Sequence, residues 1–344
     1  MKYINFLMLM LLGVDAWAGG AFGHGNQLIL ATYWGDDAIA LIDINGESGK
    51  EEIWRIDTLK AAGCPKPYDI RSNPKGDEAY VSCSGADLVV VVDIPAQQVK
   101  YTVKTGSSPR DLVVFDEGRK LIVANSGNDT VSVIDLVSQK KSYDFPISNQ
   151  PYGVAVSANG VDAAITGWAS GDLHFVRLEK DRARYIGKVD VGLLPYTVVT
   201  PGDGSIAYVA TNASHAVVAV DTKSTKLLKT IKVGRNPWSL AASPDGNSLL
   251  VTNNRSNNLS LLKTGATISA AEPNQVTISA GAQTHDDGEE TKRAPKNASI
   301  SANSKIGAFT DLANNQIVIV DLPANKITKV INTGKAPYGI EFIR

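Results

Sequence analysis

Short runs of apolar and β-branched residues alternate with polar turns along most of the chain. In one representative stretch the runs are Pro67 to Ser72, Ala79 to Cys83, Leu88 to Val92 and Gln98 to Lys104. The segments between the runs are rich in Gly, Asn, Asp and Pro, and this arrangement is typical of short β-strands joined by tight turns. The pattern therefore predicts an all-β protein.

The apolar runs recur as a repeat of four strands, which we name A to D in chain order. Each repeat begins at a proline, and the seven starts are Pro67, Pro109, Pro151, Pro195, Pro237, Pro295 and Pro337. Successive starts are 42 or 44 residues apart, except for one gap of 58 residues between Pro237 and Pro295. Four short strands in about 40 to 45 residues make one blade of a β-propeller, because a sheet of that size packs only against its neighbours.

The two ends of the chain each supply part of a blade. Pro337 to Arg344 provides an A strand with nothing after it, while Gln27 to Asp57 provides only the B, C and D strands. Joined, they predict a seven-bladed propeller closed by the C-terminal strand, which leaves no sheet edge open between the first and last repeats. An open solenoid of the same units would need polar capping repeats, which are absent. We therefore expect a single propeller domain over residues 19–344.

Several strand sequences resemble a known family. They are Tyr80-Val81-Ser82, Leu250-Val251-Thr252-Asn253, Val131-Ser132-Val133-Ile134-Asp135 and Ile317-Val318-Ile319-Val320-Asp321. These are similar to the YVTN-repeat β-propeller family of surface-layer and YncE-type periplasmic proteins. The resemblance covers essentially the whole chain after the N-terminal segment and implies a seven-bladed ring. For function it implies only a range, because such propellers serve as binding proteins, scaffolds and, in related branches, haem or lactone enzymes. The pattern is not followed everywhere: Arg177 and Lys263 replace the terminal Asp, and Gly167-Trp168 stands where Asn is typical.

The N-terminal residues predict export. Lys2 precedes an apolar run from Ile4 to Val14, and Ala16-Trp17-Ala18 follows it. This order is that of a secretory signal peptide, residues 1–18, and predicts a periplasmic or extracellular protein. Two cysteines, Cys64 and Cys83, predict one disulfide in such a compartment. Two separate buried thiols are the alternative.

The charge balance and the lengths of the apolar runs argue against nucleic-acid binding and a membrane-spanning helix. Lys and Arg number 34 and Asp and Glu number 35, for a formal net charge of -1, with no basic block dense enough to follow a phosphate backbone. No run after the signal peptide approaches the roughly 20 apolar residues of a membrane-spanning helix. Nucleic-acid binding and a transmembrane segment are therefore not expected.

One face of the propeller carries the candidate binding residues. The D-to-A and B-to-C connections share this face, which we call the upper face; the opposite one is the lower face. Directly after the blade prolines stand Tyr68, Arg110, Tyr152, Tyr196, Trp238, Lys296 and Tyr338. Aromatic residues with a polar tip suit a partly wet binding surface, although at a repeated position they could instead wedge between blades. Trp34 and Trp168 belong to B-to-C turns and depart from the repeat, which favours a functional role.

The long gap contains an acidic insertion at residues 282–294, on the upper face. Its His285, Asp286 and Asp287, together with His215, are weak candidates for holding a divalent ion. The insertion lacks the spacing of a calcium loop, which favours a solvated loop. A haem or zinc site would need further ligands. No cofactor is therefore predicted, with haem or a divalent metal as alternatives.

The sequence contains no Gly-x-Ser-x-Gly elbow, phosphate-cradling loop, His-Glu-x-x-His motif or Cys-x-x-Cys-His haem site. We therefore predict an exported binding or scaffold protein, with a protein, peptide or glycan partner in the cell envelope. The upper face would contact that partner. The alternative is a periplasmic propeller enzyme, an oxidoreductase or lactonase, with a cofactor or metal over the central channel.

Overall fold

The computed structural model describes residues 27–264, 275–279, 282–284 and 290–343. The predicted signal peptide lies outside these residues. The strands in chain order begin with β1 (Leu28–Tyr33), β2 (Ala38–Asp43), β3 (Glu52–Asp57), β4 (Pro67–Ser72), β5 (Glu78–Cys83), β6 (Leu88–Asp93), β7 (Gln98–Lys104), β8 (Pro109–Phe115), β9 (Lys120–Asn125), β10 (Thr130–Asp135), β11 (Lys140–Pro146), β12 (Pro151–Val156), β13 (Asp162–Gly167), β14 (Asp172–Leu178) and β15 (Ala183–Asp190). They continue with β16 (Pro195–Val199), β17 (Ile206–Thr211), β18 (Ala216–Asp221), β19 (Lys226–Lys232), β20 (Pro237–Ala242), β21 (Ser248–Asn253), β22 (Asn258–Lys263), β23 (Gln275–Ser279), β24 (Ala282–Thr284), β25 (Glu290–Lys292), β26 (Pro295–Ile300), β27 (Ile306–Asp311), β28 (Gln316–Asp321), β29 (Lys326–Asn332) and β30 (Pro337–Phe342).

These strands form seven four-stranded antiparallel sheets and one short hairpin, β24 with β25. Blade 1 contains β30, β1, β2 and β3, and blades 2 to 6 follow in order from β4 to β23. Blade 7 contains β26 to β29. All seven blade prolines begin an A strand, so the seven-bladed propeller predicted from the repeat is confirmed.

The ring closes through its ends, as predicted. Strand β30 pairs antiparallel with β1, and Phe342 lies opposite Ile29 while Ile340 lies opposite Ala31. The adjoining hydrophobic cluster joins blade 1 to blade 7 and includes Ile29, Phe342 and Ile317. Similar clusters fill the other six blade interfaces in the described part of the chain. The core is therefore a ring of apolar layers between adjacent sheets.

Hydroxyl residues near the ends of the B strands tie neighbouring blades together. Thr32 Oγ1 accepts a hydrogen bond from the Gly339 N–H of its own blade at 2.7 Å and donates to the Tyr68 carbonyl of the next blade at 3.0 Å. The equivalent residues that bond to the next blade in the same way are Ser82, Thr166, Thr252 and Thr310. This bond explains why the repeat has Thr or Ser near the end of the B strand. The hydroxyl bonds to a carbonyl at the start of the A strand in the next blade and so fixes its position.

The predicted disulfide is present between Cys64 and Cys83, whose Cα atoms are 5.4 Å apart. Both residues are buried. The bond ties the connection before blade 2 to the end of β5. Cys83 lies opposite Pro67, and the pairing of β4 with β5 shifts between Pro67 and Ile70.

A short helix, α1 (Thr58–Ala62), lies in the connection from blade 1 to blade 2. Asp57 caps its start by accepting a hydrogen bond from the Lys60 N–H at 2.9 Å, and Gly63 ends it with φ of 62°. A 3₁₀ turn, Asn254–Ser256, lies between β21 and β22. Among the described residues, no helix has the length and apolar character needed to cross a bilayer.

Candidate binding site

The residues that follow the blade prolines lie at the upper ends of the A strands. Each A strand packs against the A strands of both neighbouring blades, so these strands surround the central channel. The residues are Tyr68, Arg110, Tyr152, Tyr196, Trp238, Lys296 and Tyr338, and we call them the axial cluster. Four of them are buried, and the three that are half-buried are Arg110, Tyr152 and Trp238.

Ring and hydroxyl contacts hold the axial cluster together. The Tyr68 hydroxyl shares hydrogen bonds with the hydroxyls of Tyr338, at 2.6 Å, and Tyr152. Ring centroids are 4.7 Å apart for Tyr152 and Tyr196 and 4.1 Å apart for Tyr196 and Trp238. The distance between Tyr152 and Tyr196 is that of a favourable aromatic pair, and Tyr196 and Trp238 are in still closer contact. The side chains therefore meet across the channel and close its upper end.

Two cations complete the axial cluster. Lys296 Nζ lies 2.9 Å from the centroid of the Trp238 ring, and the Arg110 guanidinium carbon lies 4.6 Å from that of Tyr68. A cation over an aromatic ring is attracted by the negative charge of the ring face. Arg110 also donates from Nε to Ser126 Oγ at 3.1 Å. The two blades without an aromatic residue at this position thus contribute a cation that packs on the rings of the others.

The sequence alone left two interpretations of these residues, a binding rim and a wedge between blades. The structure shows a third arrangement, in which they fill the channel itself. Trp238 in particular is packed between Tyr196 and Lys296 and is not a free loop tip. A direct role of these residues in binding stays a prediction.

Glycine next to the axial cluster allows neighbouring A strands to approach closely. A Cβ on Gly153 would collide with the Tyr196 carbonyl, and one on Gly339 would lie 2.8 Å from the Tyr68 carbonyl. This contact explains the Pro-Tyr-Gly sequences at 151–153 and 337–339.

Burial dominates the electrostatics of the axial cluster. It raises the pKa of Tyr68 and Tyr338 well above the ordinary value and that of Tyr152 to about 12. It lowers the pKa of Lys296 to about 7, a shift that the Trp238 ring opposes because the ring favours the charged form. At neutral pH the tyrosines are therefore uncharged, whereas Lys296 is close to the point at which it changes charge.

Three charged residues, of which Asp69 is buried and Arg71 and Asp111 are half-buried, lie below the axial cluster. Arg71, Asp69 and Asp111 line a chamber of about 40 Å³, which has room for roughly one water molecule. Arg71 donates to Asp69 Oδ1 at 2.8 Å and to Asp111 Oδ1 at 3.2 Å. Burial and then the charge of Asp69 raise the pKa of Asp111 well above its usual range. These residues were not identified from the sequence. A signal was present, because the residues equivalent to Asp69 and Asp111 in the other blades are uncharged, as at Gly153 and Ser239.

The upper face around the closed channel exposes several apolar side chains. Trp34 is 38% exposed, with Lys66 Nζ 5.0 Å from its ring centroid, and Leu193 is 66% exposed. Trp168 is half-buried and meets the Tyr196 ring edge-on, with centroids 6.2 Å apart. Trp168 thus packs against the axial cluster, whereas Trp34 is presented to solvent.

His215 shapes a turn of the upper face. Its Nδ1 lies 3.0 Å from the Asn212 carbonyl oxygen and 3.2 Å from the Asn236 nitrogen. The other weak metal candidates, His285, Asp286 and Asp287, lie outside the described residues. Within the described ranges, no group of three or more His, Cys, Asp and Glu side chains could hold a metal ion. His174, inside β14, is buried, and burial lowers its pKa, as expected for a packed neutral histidine.

The base of the insertion contains an ion pair that the sequence did not reveal. Strands β24 and β25 pair within the insertion, and Arg293 follows them. Arg293 is buried and donates from Nη1 to Asp311 Oδ2 at 3.1 Å and to Gln316 Oε1 at 2.7 Å. Asp311 is also fully buried, at the position that Asn125 and Asn253 occupy in blades 3 and 6. The insertion is therefore anchored to blade 7 by a buried charge pair.

No family profile and no curated protein matches this sequence. Solved structures do match the fold. One is a protein of unknown function from Desulfotomaculum acetoxidans, with a TM-score of 0.78 and 12% identity over 92% of this chain and 99% of the other. A Bacteroides uniformis protein proposed to be a 6-phosphogluconolactonase has a TM-score of 0.73 and 16% identity over 93% and 100%. Streptogramin B lyase has a TM-score of 0.66 and 15% identity over 80% and 90%.

These proteins are similar to this chain in fold alone, because their sequence identities are low. They support the β-propeller and leave the likeness to YVTN-repeat proteins as a resemblance. The two activities named for them, a lactonase and a lyase, differ from each other, as expected for a fold that supports many kinds of site.

Proposed function

We propose that the protein is an exported binding propeller whose upper face contacts a protein, peptide or glycan in the cell envelope. The observation that supports this function most is the closure of the channel by the axial cluster. A filled channel leaves a broad surface on this face instead of a deep pocket, and small substrates usually need a pocket. A broad surface suits a macromolecular partner.

Trp34 and Trp168, in the B-to-C turns of blades 1 and 4, are the proposed contact residues on this surface. Tryptophan is enriched among residues that contribute most to binding, because it buries a large area at a low cost in side-chain entropy. The other predicted site residues, Tyr68, Arg110, Tyr152, Tyr196, Trp238 and Tyr338, belong to the axial cluster. In this proposal they support Trp168 from below, and Leu193 extends the apolar surface outward.

The disulfide supports the proposed compartment. A bond between Cys64 and Cys83 persists in an oxidising environment and is uncommon in the cytosol. Together with the N-terminal sequence, it supports a periplasmic or extracellular location.

Matched variants on the two faces test the proposal. Leu193→Ala changes an exposed apolar residue of the upper face, and Val137→Ala changes one on the lower face that is 74% exposed. A partner isolated from the envelope with the wild-type protein should bind Trp34→Ala at least tenfold more weakly, since a tryptophan that anchors an interface commonly contributes about 2 kcal/mol or more. Leu193→Ala should weaken binding to a smaller extent, and Val137→Ala should leave it unchanged.

Two results would overturn the proposal. The first is a partner whose affinity falls with Val137→Ala and ignores Trp34→Ala, which would place the site on the lower face. The second is a visible absorption band or a stoichiometric metal in protein purified from its native compartment. That result would favour the alternative enzyme, with a cofactor or metal over the channel.

A further inference from the structure

A cavity lies between blades 4 and 5, at the lower ends of their strands. Its volume is about 450 Å³. The blade 4 side includes Ala163, Ala164, Phe175 and Ile186, and the blade 5 side is formed by the A-to-B and C-to-D turns. Apolar surface predominates in the lining, with polar groups at the turns. A cavity of this size and character is typical of a site for a small molecule.

The cavity exists because blade 4 has small residues where blade 3 has large ones. In blade 3 a row of side chains from the B, C and D strands packs against blade 4, and it consists of Ile122, Val133 and Tyr143. The equivalent row in blade 4 is Ala164, Phe175 and Gly187. Phe175 is larger than Val133, but the row loses the whole tyrosine side chain and most of the isoleucine side chain. Space that is filled between blades 3 and 4 is therefore open between blades 4 and 5.

Gly187 accounts for the larger part of this difference. Residues directly opposite in an antiparallel pair point to the same face, so a side chain at position 187 would lie beside Phe175, which packs toward blade 5. A Cβ at Gly187 would have no heavy atom within 4 Å apart from those of its chain neighbours. In blades 1 to 3 the same position holds Trp54, Tyr101 and Tyr143. The cavity is thus a place from which an aromatic ring is missing.

Tyr143 shows which chemistry suits the missing ring. Its ring packs between blades 3 and 4, and its hydroxyl donates a hydrogen bond to the Glu179 carbonyl, in the C-to-D turn of blade 4, at 3.1 Å. The counterpart of Glu179 in blade 5 is Lys223, which lines the cavity. A ring with a hydroxyl at its far end therefore has an equivalent acceptor in the Lys223 carbonyl.

The charges around the cavity balance. Of the described residues that line it, two are cationic, Arg177 and Lys223, and two are acidic, Asp162 and Asp203. Arg177 already pairs with Asp162, with Nε 2.9 Å from Oδ1. An ionic ligand would have to leave water for a mainly apolar space without a surplus of opposite charge, which is unfavourable. The lining therefore favours a neutral ligand.

We propose that the cavity between blades 4 and 5 binds a small neutral aromatic molecule that carries a phenol hydroxyl. The ring packs against Ala164 and Phe175, in the place that a tyrosine side chain takes between blades 3 and 4. The hydroxyl donates a hydrogen bond to the Lys223 carbonyl. This site is separate from the proposed contact surface on the upper face and does not depend on it.

Three probes with the same ring and different head groups test the ligand class. They are 4-ethylphenol, 4-ethylanisole and 4-ethylbenzoate, titrated into the full chain by isothermal calorimetry. 4-Ethylphenol should bind, 4-ethylanisole should bind at least fivefold more weakly because it has no hydrogen-bond donor, and 4-ethylbenzoate should show no heat of binding. Equal or tighter binding of either of the last two, or no binding of any probe, would overturn the proposal.

Gly187→Tyr tests the location, because it restores the missing ring within the chain itself. The open space at Gly187 allows the protein to fold with this side chain, which should reduce the affinity for 4-ethylphenol at least tenfold. Leu228→Tyr is the matched control, since it adds the same residue to the D strand of blade 5, at a position that is 47% exposed and does not line the cavity. Wild-type affinity in Gly187→Tyr would show that the cavity is not the site.

Ala164→Ile provides a second test from a different strand. It introduces the residue that blade 3 has at position 122 and should weaken 4-ethylphenol binding at least fivefold, whereas Trp34→Ala on the upper face should have no effect. A folded Ala164→Ile variant that binds like the wild type would contradict the site. These outcomes do not depend on the proposed upper-face partner, because the probes are small molecules and the variants lie between two blades.

Discussion

Removing the C-terminal strand should greatly reduce the free energy of unfolding of the propeller. Strand β30 completes blade 1, and its Tyr338, Ile340 and Phe342 are only 8%, 2% and 3% exposed. A variant ending at residue 336 exposes the edge of β1 along its length. It also exposes the apolar layers that blade 1 forms with its neighbours.

The size of the effect follows from the buried side chains. Burial of each large apolar side chain contributes about 1.5 to 3 kcal/mol, so the three together contribute about 5 to 9 kcal/mol. The whole free energy of unfolding of a typical protein is about 5 to 15 kcal/mol. We therefore expect the truncated chain to lose most of its stability. Phe342→Ala alone should cost about 3 to 5 kcal/mol.

Urea unfolding, followed by circular dichroism and tryptophan fluorescence, measures these changes. Val330→Ala is the control, because Val330 lies in the outer strand of blade 7 and is 37% exposed. It should change the free energy of unfolding by less than about 0.5 kcal/mol. A truncated chain or a Phe342→Ala variant with the wild-type midpoint would refute closure through β30.

Three further predictions concern the disulfide, the insertion and the axial cluster. Replacing both Cys64 and Cys83 by Ala should lower the free energy of unfolding by about 3 kcal/mol, because the bond closes a loop with a sequence separation of 19; an unchanged urea midpoint would count against this. Arg293→Ala leaves Asp311 buried without its cation and should cost about 3 to 5 kcal/mol, and adding Asp311→Asn should recover most of the loss in the same assay. The pKa of Lys296 is about 7 in the folded protein against an ordinary value of 10.5, so between those pH values the unfolded chain binds more protons and stability rises with pH. Lys296→Met should remove up to about 1.4 kcal/mol per pH unit from that rise, and parallel pH profiles for both proteins would contradict the shift.

The repeat made the fold predictable from the sequence. Each blade proline begins an A strand because a proline is tolerated as the first residue of a strand, where no partner needs its N–H. The pairing of β30 with β1 followed from counting strands at the two ends. The disulfide followed from the presence of two cysteines in a sequence with a predicted export signal, since oxidising compartments allow such bonds to persist.

The site was less predictable, because it depends on how seven equivalent residues converge in space. The sequence placed Tyr68 and Trp238 on the upper side of the ring, but it could not show that the A strands bring them into contact across one channel. Arg71 and Asp111 are charged residues in the innermost strands. This departure from the uncharged residues at the equivalent positions of most other blades is visible in the sequence. Arg293 was hidden within a segment that composition marked as acidic and solvated.

The most direct test of the proposed function is photocrosslinking in the native envelope. A photoreactive residue is placed at position 34 on the upper face and, in a separate variant, at position 137 on the lower face. We predict a discrete adduct with one partner from position 34 and none from position 137. Adducts from position 137 without any from position 34 would contradict the account.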